Sequence, residues 1–477
     1  MSNDDPSVKI ISIKVPPFMQ EQIQNIVTKA LESPTFKTAN MFEDNERAIY
    51  QQTDRLGDIV VQHHLQAVSD SESMRQAGRQ LVQAMPGRIK NQGTRDVRIQ
   101  TLHGGTITIT TPYFSRNCDN HKPNRGCYPV LMLLGIYGCR PRVTPALSNY
   151  IVLMVAAMGS MDEARAWLAK QGIEWSVNGI RTLTYQYATR ARYAQQQQAA
   201  SLGESVAGRR IVVSVDGGRL RVRRNKRGPK TKKGRHRYHT NWREPKLLII
   251  YVIDNEGNMD HTWTPIIDGL LKDNGRAPDA IFELIRYYLA SLDIDQADRV
   301  MFVADGARWI WRRVAPLFSS LGLRDDQVIE LVDFYHAVEH LAKVADLRRG
   351  WTKTQRRQWI RKQRKRLLKG QVDRVVQAVD ELCTGRMSKK VRTERNYFHN
   401  NTTRMNYFQI QLEQLPLGSG AMESAIRRVV NLRLKGAGIF WYEDSANALL
   451  MLRSYYKAGR TQDIARLAFM PTIKEAA

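Results

Sequence analysis

The apolar positions of this chain change period several times, and each change marks a new kind of element. Residues 41–84 carry a helical pattern with no chemical signature. The adjacent His63 and His64 fall on different sides of such a helix and read as surface or packing residues. Between 96 and 113 the period drops to two. Val97, Ile99, Ile107 and Ile109 alternate with polar residues around Gly104-Gly105, which predicts a hairpin. Three short helices are expected next, over about 146–158, 162–170 and from Ser176 to near Arg190 and Arg192. Leu147, Ile151 and Met154 share a face of the first, Gly172 supplies the turn, and the third carries Ile180, Leu183 and Arg181. This is a helix-turn-helix pattern, although a small helical bundle would show it equally. The glutamines at 195–198, followed by Ala-Ala-Ser, read as a linker.

Beyond 204 strands and helices alternate. Strands are expected at 211–216, 219–224 and 246–254, the second of them basic. A helix at 279–292 places Ile281, Leu284, Ile285, Tyr288 and Leu292 at helical spacing. A strand at 299–305, a helix at 309–321, a strand at 328–333 and a helix from Tyr335 follow. The order β-β-β-α-β-α-β-α predicts a mixed sheet covered by helices. No strand pattern is visible over 344–413. Helices recur there at 354–369 and 371–383, the second with Val372, Val375, Val379 and Leu382 on one stripe. Further helices are expected from about 418–420 and over 446–456, and the tail after Arg460 reads as loose helix or disorder. The expected fold class is α/β multidomain. Its divisions are a mostly helical region at 1–90, a hairpin with a Cys/His loop at 91–140, a helix-turn-helix domain at 141–194, a linker at 195–204, a core at 205–343 and 414–460, an all-helical insertion at 344–413 and a tail at 461–477.

Length and composition narrow the function. A chain of 477 residues, 42% of them hydrophobic, predicts two to four domains and excludes wholesale disorder. No apolar run approaches the roughly 18–20 residues of a membrane span. The start, MSNDDPSVKI, has acids where a signal peptide would carry basic residues, so a cytoplasmic protein is expected. Four cysteines in so long a chain fit a reducing compartment better than a disulfide framework. Lys+Arg is 73 against 46 Asp+Glu, a formal net charge of +27 that predicts a polyanionic partner, nucleic acid.

Two aspartates occupy matched places. Asp216 closes I-V-V-S-V-D before Gly217-Gly218, and Asp305 closes M-F-V-A-D before Gly306. An Asp-Gly pair also starts ordinary turns. Two of them at the ends of apolar strands favour a shared cation, and carboxylate oxygens suit Mg2+ or Mn2+. Two residues compete as a third acid: Glu339, 34 residues beyond Asp305, and Glu423, which is favoured. Glu423 lies in the first turn of a helix that Ser419 can cap, with Gly418 and Gly420 allowing close backbone approach. The segment H-A-V-E-H (His336 to His340) also matches an inverted zinc-metallopeptidase pattern. Cys118, His121, Cys127 and Cys139 form a possible zinc set without paired C-x2-C knuckles.

The basic residues are clustered. Arg219, Arg221, Arg223, Arg224, Lys232 and Lys233 lie in a stretch without acids. Arg361, Arg364 and Lys365 lie in the insertion, where Trp351 and Trp359 could stack on a base, and Arg427, Arg428, Arg433 and Lys435 follow Glu423. Such runs suit a phosphate backbone.

V-D-G-G-R at 215–219, W-R-E-P-K at 242–246, A-D-G-A-R-W-I-W at 304–311, D-F-Y-H-A-V-E-H-L at 333–341 and G-S-G-A-M-E-S at 418–424 together resemble a bacterial insertion-sequence DDE transposase of the ISKra group, distantly Mutator-like. The resemblance spans roughly 96–455. It implies an RNase H-like core interrupted by a helical insertion, with Asp216, Asp305 and Glu423 as catalytic acids holding two Mg2+ ions. It also implies that Asp333 and His336 form an auxiliary D-x-x-H pair and that Glu339 is not catalytic. The expected activity is cleavage of DNA at the element's terminal repeats and transfer of the freed 3′-OH to target DNA. The expected partner is double-stranded DNA, bound by a homodimer or larger assembly, with no membrane involved. A catalytically inactive DNA-binding regulator is the alternative, and a zinc metallopeptidase acting through H-A-V-E-H is a second.

Overall fold

A computed structural model of the chain describes residues 15–31, 37–85, 89–116, 126–137, 141–197, 204–271, 277–383 and 388–470. The chain divides into two compact units, one of Met1–Val155, Met161–Tyr187 and Phe469–Ala477, the other of Ala156–Ser160 and Ala188–Ala468.

In the first unit, helices α1 (Pro17–Leu31), α2 (Ala39–Asp70) and α3 (Glu72–Gln83) precede a small sheet. Its strands are β1 (Ile89–Gln100), β2 (Thr106–Arg116), β3 (Gly126–Cys127) and β4 (Arg142–Val143), in the order β3-β2-β1-β4, with α4 (Pro129–Leu133) between β3 and β4 along the chain. β1 and β2 form the expected hairpin. Val97 pairs with Ile109 and Ile99 with Ile107, so the four alternate apolar residues share one face. All four are buried, with Leu131 and Ile136, as a common core. The expected helices form as α5 (Pro145–Ala157), α6 (Met161–Lys170) and α7 (Val177–Gln196). Of the possible zinc set, Cys118, His121 and Cys139 lie outside the described residues, and Cys127 is a half-buried residue of β3.

The second unit is built on a five-stranded sheet. In chain order the unit has β5 (Arg210–Gly217), β6 (Leu220–Asn225), β7 (Tyr238–Arg243), β8 (Lys246–Ile253), β9 (Ile266–Leu270), α8 (Ala277–Ala290), β10 (Arg299–Ala304), α9 (Arg308–Ser320), β11 (Val328–Val332) and α10 (Phe334–Leu347). The large sheet runs β11-β10-β5-β8-β9. β8 runs antiparallel to its two neighbours, β5 and β9, while β10 and β11 run parallel to β5. Every residue of β8 is buried, as expected of a strand covered on both faces.

The strand expected at 219–224 forms, but not in this sheet. As β6 it pairs with β7, in a separate ribbon that buries Leu220 and Val222 and leaves much of its positive charge to solvent. A strand carrying arginines at alternate positions cannot sit in a sheet covered on both faces without burying their charge. Its place is taken by β9, whose Asp268-Gly269 resembles a turn in sequence. The Asp268 carboxylate is fully buried there and takes two hydrogen bonds from the Arg192 guanidinium, at 2.9 and 2.8 Å, and one from the Tyr288 hydroxyl at 2.6 Å.

The same cluster takes the first residues of the linker expected at 195–204, of which 198–203 lie outside the described residues. Gln195 belongs to α7, is buried, and its amide donates to Asp268 at 3.1 Å and to the Tyr288 hydroxyl at 2.6 Å. Polar low complexity hid a side chain whose donors match a buried carboxylate.

The insertion is helical as expected: α11 (Lys353–Leu368), α12 (Val372–Leu382), α13 (Lys389–Asn401) and α14 (Tyr407–Leu412). α11, α12 and α13 all pack on α10. α15 (Gly420–Ile426) follows and runs into a π-helical turn at Arg427–Asn431 before α16 (Glu443–Ala458). Of the tail expected at 461–477, residues 471–477 lie outside the described residues. Thr461–Phe469 is a helix, α17, with Ile464, Ala465, Leu467 and Ala468 buried. Arg460 anchors its start through ion pairs with Glu204 at 2.8 Å and Asp463 at 3.0 Å. Among the described residues no helix is long and apolar enough to cross a membrane.

Candidate functional site

Three aspartates stand in a row at one edge of the large sheet. Ser214 of β5 is in register with Val303 of β10, so Asp216 and Asp305, each two residues further on, come level on neighbouring parallel strands. Ala304 is in register with Val332 of β11, which brings Asp333 level with Asp305, and the Asp333 N–H donates to the Ala304 carbonyl at 2.8 Å. In α/β sheets, the carboxyl ends of parallel strands are where ligands bind.

The three carboxylates differ in what they are free to do. Asp216 accepts only a local bond, from the Gly217 N–H at 2.6 Å. Burial, reinforced by the negative charge of Asp305, pushes its carboxyl up from the usual range to about 6, while His336 and Lys246 pull in the opposite direction. Asp305 accepts from the Ala307 N–H at 3.0 Å, and its own carbonyl takes the Trp311 indole N–H at 2.7 Å.

Asp333 is committed on both oxygens. Oδ1 accepts from the N–H groups of Tyr335 (2.7 Å) and His336 (3.0 Å), capping α10. Oδ2 accepts from the N–H and the hydroxyl of Ser419, each at 2.5 Å. Ser419 therefore clamps to Asp333 instead of capping α15 with its side chain. This bond ties the end of β11 to the loop that opens α15. Gly418 is required there, because a Cβ would lie 2.7 Å from the Tyr335 ring. Gly420 has open space around it, so it plays no such part.

Glu423 is exposed in the first turn of α15, which packs against β5 and β8. Among the described residues, no group of three or more His, Cys, Asp and Glu side chains is gathered as a metal cage. The fit to a divalent ion rests on the oxygen donors of Asp216 and Asp305. Two level carboxylates, one held up in pKa by burial and by the other's charge, offer hard oxygen donors of the kind a divalent cation takes. Mg2+ keeps several waters and needs only one or two protein carboxylates.

The H-A-V-E-H pair is not equivalent at its two ends. His336 is near enough for its charge to act on Asp216, and its Nδ1 is 3.7 Å from Glu339. Nδ1 of His340 is 2.6 Å from Glu394, and its ring stacks on Tyr397 at 3.6 Å. Tyr397 had no sequence signal. Its ring packs so closely on Gly306 that a Cβ there would come within 2.3 Å, and its hydroxyl is buried without a partner. Burial and the charges of Asp305 and Asp333 push its phenol well up.

The basic residues divide by exposure. The loop joining β6 to β7, including Lys232 and Lys233, is exposed, as are Arg361, Arg364, Lys365, Arg427 and Lys435. Arg219 precedes that ribbon, 5.2 Å from the Trp242 ring centroid, and Arg224 is an exposed residue of β6, 3.7 Å from Glu443. Arg433 is instead buried. Its guanidinium donates to the Met158 carbonyl at 3.0 Å and lies over the Trp441 ring. Arg428 is half-buried against the end of α16. These two donate to carbonyls at or just beyond the ends of α5 and α16, while the carbonyls of Arg428 and Val429 in the π-helical turn are taken by the Arg453 guanidinium, at 2.6 and 3.1 Å. Trp351 and Trp359 are half-buried and pack on one another, with ring centroids 6.2 Å apart.

No protein-family model matches this chain, and no curated protein is similar to it.

Proposed function

We propose that the chain is a DNA transposase that binds the terminal repeats of its insertion sequence and catalyses metal-dependent strand cleavage and strand transfer. The observation that carries this reading is the level placement of Asp216 and Asp305 on adjacent parallel strands. The sheet around them supports it. Counted through the large sheet alone, the order is β5-β8-β9-α8-β10-α9-β11-α10, the β-β-β-α-β-α-β-α succession of the RNase H-like core that the motif blocks imply.

Asp216, Asp305 and Glu423 would hold the Mg2+ or Mn2+ ions. Bound there, the metal would supply Lewis-acid stabilisation of the attacking and leaving oxygens of a phosphodiester. The protein's own groups do the positioning. Asp333 fixes the 418–420 loop and through it the start of the helix carrying Glu423. His336, whose charge acts on Asp216, would orient the scissile phosphate. The exposed basic residues hold the DNA backbone.

The test is cleavage of a duplex carrying the inverted repeats that flank the coding region, with Mg2+, by the wild type and by Asp305→Ala. The expected result is loss of nicked and joined products with duplex binding retained. Normal cutting by the variant would overturn the site assignment. Binding without cutting by the wild type would favour the regulatory alternative.

A further inference from the structure

The β6–β7 ribbon has two unlike faces. Directly opposed residues of a sheet share a face, so the register Arg221↔Trp242, Arg223↔Thr240 and Asn225↔Tyr238 gathers Arg221, Arg223, Tyr238 and Trp242 on the side away from Leu220 and Val222. The segment around Trp441 runs parallel to β6. Its N–H donates to the Arg221 carbonyl at 3.0 Å, and its carbonyl accepts from the Arg223 N–H at 2.8 Å. Trp441 pairs with Val222, so its neighbours Phe440 and Tyr442 fall on the arginine face.

On that face rings and guanidinium groups alternate in two dimensions. Arg221 lies 4.6 Å from the Phe440 ring centroid and 5.4 Å from that of Trp242. Arg223 lies 4.2 Å from Tyr442 and 5.7 Å from Tyr238. The Arg223 Nε is shut away from solvent with no acceptor. Yet the outer rings stay wet: Trp242 is 50% exposed, and Tyr238 and Tyr442 are each 42% exposed. The exposed basic loop at 226–237, which contains no acid, borders them.

We infer that this face is a platform for single-stranded nucleic acid. Half-exposed rings can stack on bases that have left their own duplex, while interleaved guanidinium groups meet the phosphates between them. A paired duplex offers no base face to such rings, and a surface of this charge disfavours an ordinary protein partner. The inference deepens the DNA reading above by naming the form of DNA that the ribbon takes, an unpaired strand such as cleavage at an element end exposes.

The test measures fluorescence anisotropy of labelled dT20, rU20 and a 20-base-pair duplex with the full chain at fixed salt. Trp242→Ala and Trp242→Ala/Tyr442→Ala should weaken dT20 by about tenfold per ring and duplex by no more than about twofold. Trp242→Phe, which keeps a flat ring, should retain most dT20 affinity while losing the Trp242 share of the fluorescence quenching on binding. Unchanged dT20 affinity in a variant with wild-type circular dichroism would overturn the platform. So would equal losses on dT20 and duplex, or a Trp242→Phe variant that quenches as the wild type does. Tighter binding of rU20 than of dT20 would overturn the assignment to DNA. A failure of the catalytic reading shows separately, as cleavage by Asp305→Ala, and leaves these affinities untouched.

Discussion

Asp216 is the residue at which stability and the proposed chemistry pull apart. Its carboxyl titrates near 6 in the folded chain, above the ordinary value of 3.8, because burial and Asp305 oppose its charge. The sign follows from linkage. The contribution of this group to folding is fully present below about pH 4 and is lost as pH rises through about 6. Without added metal, Asp216→Asn should therefore be more stable than the wild type at pH 7, by about 1–3 kcal/mol, and the difference should vanish near pH 4 in urea melts. If the two curves run parallel between pH 4 and 7, the carboxyl is not held up. That an acid mattered here was legible in sequence, since a charge closing an apolar strand must meet something. The commitment of Asp333 was not, because its partner Ser419 lies 86 residues away and only the fold brings them together.

At the scale of elements, the exchange of β6 for β9 shows what periodicity can and cannot say. The first reads as a strand by local pattern, and the second carries no strand reading, since Asp268-Gly269 interrupts a short apolar run. Which one enters the large sheet was decided by charge balance: Asp268 finds Arg192, Gln195 and Tyr288 waiting, whereas the arginines of β6 would find nothing. Asp268→Ala should destabilise the chain by about 2–4 kcal/mol, because it leaves the largely buried Arg192 guanidinium without its counter-charge, only the Gln195 side-chain oxygen and the Gly269 carbonyl remaining as acceptors. Removing both partners, as Asp268→Leu with Arg192→Met, should cost less than the sum of the single changes. Additive losses in denaturant unfolding would mean that the two side chains are not coupled. A second element-level case is Gly306. A methyl there would meet the Tyr397 ring at 2.3 Å, so Gly306→Ala should displace α13 at a cost of about 1–3 kcal/mol, read as a lower Tm.

For the molecule as a whole, a net charge of +27 makes any binding of DNA a salt-dependent property. Duplex affinity should fall by about a thousandfold or more between 50 and 200 mM salt, linearly on logarithmic axes. Replacing the exposed Lys232 and Lys233 by Ala should reduce that slope by about 2, whereas Arg433→Ala should lower the melting temperature without changing the slope, since that side chain is buried against the Met158 carbonyl. An Arg433 variant with wild-type stability and a shallower slope would reverse its assignment. By itself the sequence determined many of the elements, the hairpin core, the helical character of the insertion and the two aspartates as candidates, because periodicity and charge at strand ends are local consequences of residue order. Strand neighbours, the aspartate row, the Asp333–Ser419 clamp and the ring-and-guanidinium face were decided only by tertiary structure. Each depends on register between segments far apart in the chain, and register follows from which faces the whole fold can bury without stranding a charge.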